Sequence, residues 1–187
     1  TVQTNTLLIN KADNPVSLLL NGSAANLTVT YGQASNASAT GVNVSLYKDN
    51  SPVANPEIAV LGAGDYVYFA NATGGENYSA NTTGVNWNLT VEKAVPTCTL
   101  SFDPVSPIVY GTELNVSCSC SNGLIAELYR NGSNVTSEIG ANVTLGAGSY
   151  DYVCNTSGNA NYTSANDSET FVVQKAARTC SLATDKG

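Results

Sequence analysis

Residues 142–154 read Asn142-Val143-Thr144-Leu145-Gly146-Ala147-Gly148-Ser149-Tyr150-Asp151-Tyr152-Val153-Cys154. Polar and apolar side chains alternate from Asn142 to Leu145, the period of a strand with one buried face. The same alternation runs through Leu114-Asn115-Val116-Ser117-Cys118 and Asn88-Leu89-Thr90-Val91. Val, Leu, Cys and Phe fall on the inward side, and Asn, Ser and Thr on the outward side. Turn signals recur every 8–15 residues, among them Asn131-Gly132, a pair suited to a tight hairpin. No segment keeps the apolar stripe of an amphipathic helix.

The stretch has a counterpart. Leu61-Gly62-Ala63-Gly64 matches Leu145-Gly146-Ala147-Gly148, and Tyr66 stands five residues after Leu61 as Tyr150 does after Leu145. The matches extend in order: Leu18 and Leu20 with Leu100 and Phe102, Tyr31-Gly32 with Tyr110-Gly111, Leu46-Tyr47-Lys48 with Leu128-Tyr129-Arg130, and Asn77-Tyr78 with Asn161-Tyr162. Asn-Lys-Ala at 10–12, Glu-Lys-Ala at 92–94 and Gln-Lys-Ala at 174–176 stand 82 residues apart. The chain is therefore a tandem repeat. Its expected parts are repeat one at 13–94 and repeat two at 95–176. Residues 1–12 read as the last strand of a preceding repeat, since Leu7-Leu8-Ile9 resembles Leu89-Thr90-Val91. Residues 177–187 read as the first strand of a following repeat, since Thr179-Cys180-Ser181-Leu182 echoes Thr97-Cys98-Thr99-Leu100. A longer natural chain is expected. About 82 residues with about seven short strands fit an all-β, immunoglobulin-like sandwich. A Tyr two residues before Cys154 fits the tyrosine corner of such sandwiches, whose hydroxyl bonds back to the backbone; packing on the sheet is the alternative role for these Tyr.

Composition narrows the function. Fourteen acids against seven bases give a net charge of −7, which opposes nucleic-acid binding, since that needs clustered cations. The longest apolar stretch, Ile58 to Gly64, is too short to span a bilayer. His and Met are absent, which removes His-based triads and His-ligated metals. Glu57 and Glu138 recur at matched positions and are expected at solvated strand starts. No catalytic residue, metal or cofactor is expected.

The order Tyr-Gly, Leu-Tyr, Leu-Gly-x-Gly-x-Tyr, Asn-Tyr and Val-x-Lys-Ala resembles the bacterial Ig-like domains of group 3, over 164 of the 187 residues. The resemblance implies an Ig-like sandwich in an extracellular stalk, adhesin or filament of bacterial and archaeal surface proteins, with no catalytic residues. The cysteines and the load of Asn depart from that pattern.

Of 23 Asn, 15 lie in Asn-x-Ser/Thr: Asn21, Asn26, Asn36, Asn43, Asn71, Asn77, Asn81, Asn88, Asn115, Asn131, Asn134, Asn142, Asn155, Asn161 and Asn166. Random placement in this composition gives about 5. The excess marks N-glycosylation, and with it export. Asn36, Asn43, Asn88, Asn115 and Asn142 take outward parity. A strand face of alternating Asn and Thr generates some sequons by itself. Asn50 precedes Ser-Pro and is no acceptor.

Five Cys in an exported chain leave one over. Cys98, Cys118, Cys120 and Cys154 lie in repeat two, and Cys180 opens the next repeat, leaving it without a partner in this stretch. Cys118 aligns with Ala39 and Cys154 with Ala70. Two positions that change together from Ala to Cys are spatial neighbours, so Cys118–Cys154 is the expected inter-sheet bridge, with Cys98–Cys120 remaining. Zinc is the weaker alternative, for want of a second close pair. Lys11, Lys93 and Lys175 follow inward parity at the repeat ends; a Lys reaching solvent or the next domain is the expectation, an isopeptide bond the rival. Pro96 restricts itself and Val95, which stiffens the Lys93–Pro96 joint.

These features point to a glycosylated, non-enzymatic Ig-like segment of an extracellular or cell-surface stalk or filament. Its partners are neighbouring repeats or copies and N-linked glycans, with no nucleic acid and no membrane span. The alternatives are an adhesin module gripping a surface glycan or protein, and a spacer of a larger surface enzyme. Trp87 and ten Tyr could stack on a ligand, but Trp87 shares inward parity with Leu89 and Val91.

Overall fold

A computed structural model describes Gln3, residues 7–180 and Leu182. The chain divides into two compact units, Thr1–Ala94 and Val95–Gly187. Among the described residues each unit holds eight strands. Unit one has β1 Ser17–Leu20, β2 Leu27–Thr30, β3 Ser35–Thr40, β4 Val44–Lys48, β5 Ser51–Val53, β6 Glu57–Ala59, β7 Gly64–Ala72 and β8 Asn81–Glu92. Unit two has β9 Cys98–Asp103, β10 Ile108–Val109, β11 Glu113–Cys120, β12 Glu127–Arg130, β13 Ser133–Asn134, β14 Asn142–Thr144, β15 Gly148–Thr156 and β16 Ala165–Gln174. Among the described residues no helix is long and apolar enough to cross a membrane.

The two units share one topology. A three-stranded sheet, β1-β3-β6 or β9-β11-β14, faces a five-stranded sheet, β2-β8-β7-β4-β5 or β10-β16-β15-β12-β13. The opening segment splits between sheets. Its first half pairs antiparallel with β3 or β11, and its second half pairs parallel with β8 or β16. Counted as one divided strand, it brings each unit to seven. Both units are immunoglobulin-like β-sandwiches.

Alternation builds the core. β7 and β15 carry the same burial sequence along all nine residues. Leu18, Leu20, Ala37, Ala39, Leu46, Tyr68, Ala70, Leu89 and Val91 fill unit one. In unit two Leu100, Leu114, Val116, Leu128, Tyr152, Phe171 and Val173 do so together with Cys98, Cys118 and Cys154. Phe102 packs edge-on to Tyr152 with centroids 5.3 Å apart and lies 4.9 Å from Phe171. Unit one has Leu20 and Leu89 at the places of those two Phe, so its core is the more aliphatic.

Turn chemistry fixes the registers. Asn131 (φ 48°) and Gly132 (φ 79°) join β12 to β13, and Asp49 (φ 48°) and Asn50 (φ 64°) join β4 to β5. Two positive φ angles in succession match the twist of a two-residue hairpin. Asp49 Oδ1 accepts from Val67 N–H, and Asn131 Oδ1 accepts from Asp151 N–H, both at 2.9 Å. Asn43, assigned outward strand parity from the sequence, instead lies in the turn before β4 with φ 53°.

The ends of the repeats are partly described. Ala12 bridges Tyr78, its N–H donating to Asn77 O at 2.9 Å, and Lys11 Nζ donates to Gly75 O at 2.8 Å. Leu7, Leu8 and Ile9 are exposed and form no strand. Thr179, Cys180 and Leu182 are likewise outside any strand. The remaining residues of 1–6 and 181–187, on which parts of the flanking-strand expectations fall, lie outside the described residues.

The β7–β8 and β15–β16 turns each close on a glycine. A Cβ at Gly74 would stand 2.6 Å from Tyr78 O and Ser79 O; at Gly158 it would stand 2.4 Å from Tyr162 O and Thr163 O. Both φ values are positive, 76° and 74°. Gly74→Ala and Gly158→Ala are therefore expected to cost their units about 1–3 kcal/mol or more. Gly32→Ala, also at positive φ but facing open space, should cost less. Chemical denaturation of the three variants measures the difference.

Candidate functional site

Nine of the candidate sites lie on strands, and six, Asn21, Asn26, Asn43, Asn77, Asn131 and Asn161, lie in turns or loops. All 15 sequon asparagines are described, and none is buried; ten are exposed and five half-buried. They differ in what their amides do. Asn21 Oδ1 accepts from Asn36 N–H at 2.7 Å, and Asn26 Oδ1 accepts from Asn88 N–H at 2.9 Å. Asn134 Oδ1 accepts from Thr136 N–H. These bonds leave Nδ2, the atom that would carry a sugar, uncommitted. Elsewhere Nδ2 is used. Asn43 Nδ2 donates to Gly74 O, Asn81 Nδ2 to Asn14 O, and Asn142 Nδ2 to Glu113 Oε2. Asn115 Nδ2 donates twice, to Gly140 O at 2.8 Å and to Asn142 Oδ1 at 3.1 Å. Asn155 and Asn166 are direct cross-strand partners, and Asn155 Oδ1 is buried without a partner.

Two asparagines outside sequons act as pieces of backbone. Asn14 accepts from Val42 N–H and donates to Val42 O; Asn55 does the same to Ala39. A side-chain amide has the donor and acceptor of a peptide group, so each extends a ladder where no further strand runs.

The structure joins Cys118 on β11 to Cys154 on β15, with Cα atoms 5.5 Å apart. This bond crosses between the sheets. Cys98 bonds to Cys120, its direct partner in the β9–β11 register. Cys180 is free and exposed. In unit one Ala39 and Ala70 occupy the positions of Cys118 and Cys154, as the registers Leu18↔Ala39 with Leu100↔Cys118, and Leu46↔Ala70 with Leu128↔Cys154, show.

A third constellation was only half visible in the sequence. Tyr68 is buried, and its hydroxyl donates to Glu57 Oε2 at 2.6 Å while Lys48 Nζ holds Glu57 Oε1 at 2.7 Å. In unit two Arg130 grips Glu138 at 2.5 and 3.0 Å and donates to the hydroxyl of buried Tyr152 at 3.3 Å. Glu57 does start β6 but is not solvated, and Glu138 ends a short 3-10 turn instead of starting a strand. They are half-buried because each neutralises a cation beside a phenol that must be satisfied. The tyrosine-corner role also falls elsewhere than expected. Tyr152, two before Cys154, faces Arg130, whereas Tyr150 OH donates to Gly146 O at 3.0 Å and Tyr66 OH to Gly62 O at 2.9 Å. Tyr150 and Tyr152 share parity, but only the earlier one stands beside the loop that enters β15.

Burial first, then the Glu57 hydrogen bond, raises the Tyr68 pKa well above the ordinary tyrosine value. Burial also raises that of Tyr152, against the opposing pull of Arg130. Trp87 is half-buried against the unit-one core, and its indole N–H donates to Leu18 O at 3.0 Å. Lys11, Lys93 and Lys175 are all exposed, against their inward parity, because each lies past the ladder. An open groove of about 510 Å³ in unit two is lined by Tyr110, Ala147, Lys175 and Arg178. Among the described residues no three metal-ligating side chains are grouped.

No family model and no curated protein matches the chain. Solved structures do. Fibronectin(III)-like modules of CbhA from Clostridium thermocellum are 17% identical, over 90% of this chain and 100% of that one, with TM-score 0.35. Titin domains Z1Z2, solved in complex with telethonin, are 16% identical over 90% and 100%, with TM-score 0.45. Immunoglobulin domains 1–4 of Sidekick-1 are 10% identical over 87% and 50%, with TM-score 0.35. These are likenesses of fold alone.

Two outcomes are expected from this geometry. Burial makes Tyr68 and Tyr152 hold their protons to higher pH in the folded chain than in the unfolded one, whose tyrosines ionise at about 10. The unfolded state therefore sheds protons first as pH climbs, and folding stability falls above about pH 10 and not below it. Tyr68→Phe should flatten that fall for unit one in denaturation curves recorded from pH 8 to 11. Reduction should weaken unit two by about 2–4 kcal/mol per bridge and leave unit one unchanged. Trp87, the single Trp, reports unit one by fluorescence, and hydrogen exchange reports unit two.

Proposed function

We propose that this chain is a glycosylated structural segment of an extracellular stalk or filament at a cell surface. One observation carries the reading: 15 sequon asparagines, three times the number that composition gives, none of them buried in either sandwich. Two disulfides in unit two fit an oxidising compartment. The repeat order of Tyr-Gly, Leu-Tyr, Leu-Gly-x-Gly-x-Tyr and Val-x-Lys-Ala supports placing both sandwiches with the bacterial Ig-like domains of group 3. In this reading 13–94 and 95–176 are whole repeats. Residues 1–12 close the repeat before them, and 177–187 open the one after, with Cys180 placed as Cys98 is. Neighbouring repeats or copies are the partners.

The work is mechanical and non-enzymatic. Paired sheets bear load, bridges limit what unfolds, and sugars shield the open sheet edges from pairing with other chains. An adhesin would need a cluster of aromatics offered to solvent, whereas Trp87 is tied to Leu18 O and the exposed Tyr78 and Tyr110 stand singly, one in each unit; the spacer of a surface enzyme differs only in carrying a catalytic domain beyond the repeats. Intact mass before and after removal of N-glycans tests the reading. A heterogeneous mass well above 19.3 kDa that collapses on deglycosylation is expected; a bare mass of 19.3 kDa from the native source would end it.

A further inference from the structure

We propose that N-glycans on Asn36 and Asn88 form an outer layer of unit one, packing on Ile58 and Val67; this rests on the glycosylated reading above. Among the described residues, three large apolar side chains stand exposed on strands: Ile58 at 68%, Val67 at 46% and Val109 at 47%. The first two lie in unit one, and each faces a sequon asparagine directly. Ile58 on β6 is the register partner of Asn36 on β3, and Val67 on β7 is that of Asn88 on β8. Direct cross-strand partners share a face with Cβ atoms about 4.5–5.5 Å apart. A sugar joined to either Asn therefore starts beside the exposed apolar group. Val109, on the two-residue edge strand β10, faces Gln174 and has no such neighbour.

The acceptor amides are free to react. Asn36 and Asn88 are exposed. Their backbone N–H groups are pinned by Asn21 and Asn26, while no side-chain bond among the described residues engages their own Nδ2. Attachment joins Nδ2 to the anomeric carbon of a glycosyl pyrophosphate. The carbon–oxygen bond to the pyrophosphate breaks with its electron pair, and one Nδ2 proton passes to a base of the transferase.

Unit two supplies the internal comparison. Asn115 and Asn142 stand where Asn36 and Ile58 stand. There the apolar group is gone, and Asn115 commits both amide protons to Gly140 O and Asn142 Oδ1; a glycosylated amide keeps only one. Asp151 and Thr170 stand where Val67 and Asn88 stand. They bond to each other at 2.7 Å, and no sequon is present. At these two places unit two's face satisfies itself and lacks a free acceptor, whereas unit one exposes Ile58 and Val67 with a free acceptor opposite each. The apolar C–H face of a sugar ring removes that side chain from water. Unit one, which has no disulfide, is the unit so covered.

The test uses the full chain purified from a cell that attaches N-glycans, with glycopeptide mapping and thermal unfolding followed at Trp87. Ser38→Ala deletes the Asn36 sequon and leaves Asn36 in place. It should lower the Trp87 transition by about 4–8 °C, yet change nothing in unglycosylated chain. In an Ile58→Thr background the same substitution should cost less than half as much, since the partner of the sugar is gone. Asn88→Gln with Val67→Thr repeats the cycle on the other sheet. Sugar on no Asn overturns the glycosylated reading and this proposal together. Sugar elsewhere but absent from Asn36 and Asn88 overturns the proposal alone. So does sugar at both with an unmoved Trp87 transition, or an equal loss in the Ile58→Thr background.

Discussion

A phenol hydroxyl buried in a sandwich core must be given a partner, and in unit one that demand ties the two sheets together. Tyr68 and Lys48 belong to the five-stranded sheet of unit one, and Glu57 to the facing three-stranded one. The carboxylate bonds to both, so one side chain clasps β4, β6 and β7 at the rim of the core. In unit two Glu138 stands in a short turn before β14 and reaches Arg130, which in turn reaches Tyr152. An ion pair at this depth is weak evidence of net stability, because desolvation offsets much of the attraction. What it gives is direction. A leucine in place of Tyr68 would pack without selecting which strand faces it.

With a buried tyrosine, a cation and a carboxylate in common, the two units reinforce themselves by different means. Unit two has the β11–β15 bridge, a second bridge within its three-stranded sheet, and the Phe102, Tyr152 and Phe171 cluster. Unit one has Ala39 and Ala70 at the sites of the inter-sheet bridge and a more aliphatic core. It adds the Trp87 tie to β1 and the asparagine brackets at Val42 and Ala39. One backbone topology therefore tolerates two chemistries of reinforcement, because the alternation of inward and outward residues is untouched by either.

Alternation and repetition were legible in the sequence because they are local and periodic. Strand faces read directly from Leu114 to Cys118, and the repeat showed which cysteine positions vary together. Parity did not reveal the partner of each inward polar group. Tyr150 and Tyr152 point to the same side, and only the approach of the Gly146 loop separates a backbone anchor from a core residue. The repeated Glu57 and Glu138 were conspicuous, yet their burial depends on cations 9 and 8 residues away in sequence, on another strand. Asn14 and Asn55 carried no signal at all. Their bracketing depends on a neighbouring strand ending just there, which composition does not encode.

The order of the bridges along unit two sets how far it can lengthen when pulled. The shortest covalent route enters at Cys98, crosses to Cys120, steps back two residues to Cys118 and crosses again to Cys154. Everything between Cys98 and Cys154 except Cys118–Cys120 is bypassed, so within the bridged sandwich the stretch that can extend is the one beyond Cys154. At about 3.3–3.6 Å per extended residue, that stretch has a contour length of roughly 70 Å from Asn155 to Gln174, the end of β16. Unit one has no such short circuit, and from Ser17 to Glu92, the ends of its first and last strands, its contour length is roughly 260 Å on the same measure. Pulled in series, unit one would therefore lengthen far more on unfolding than unit two.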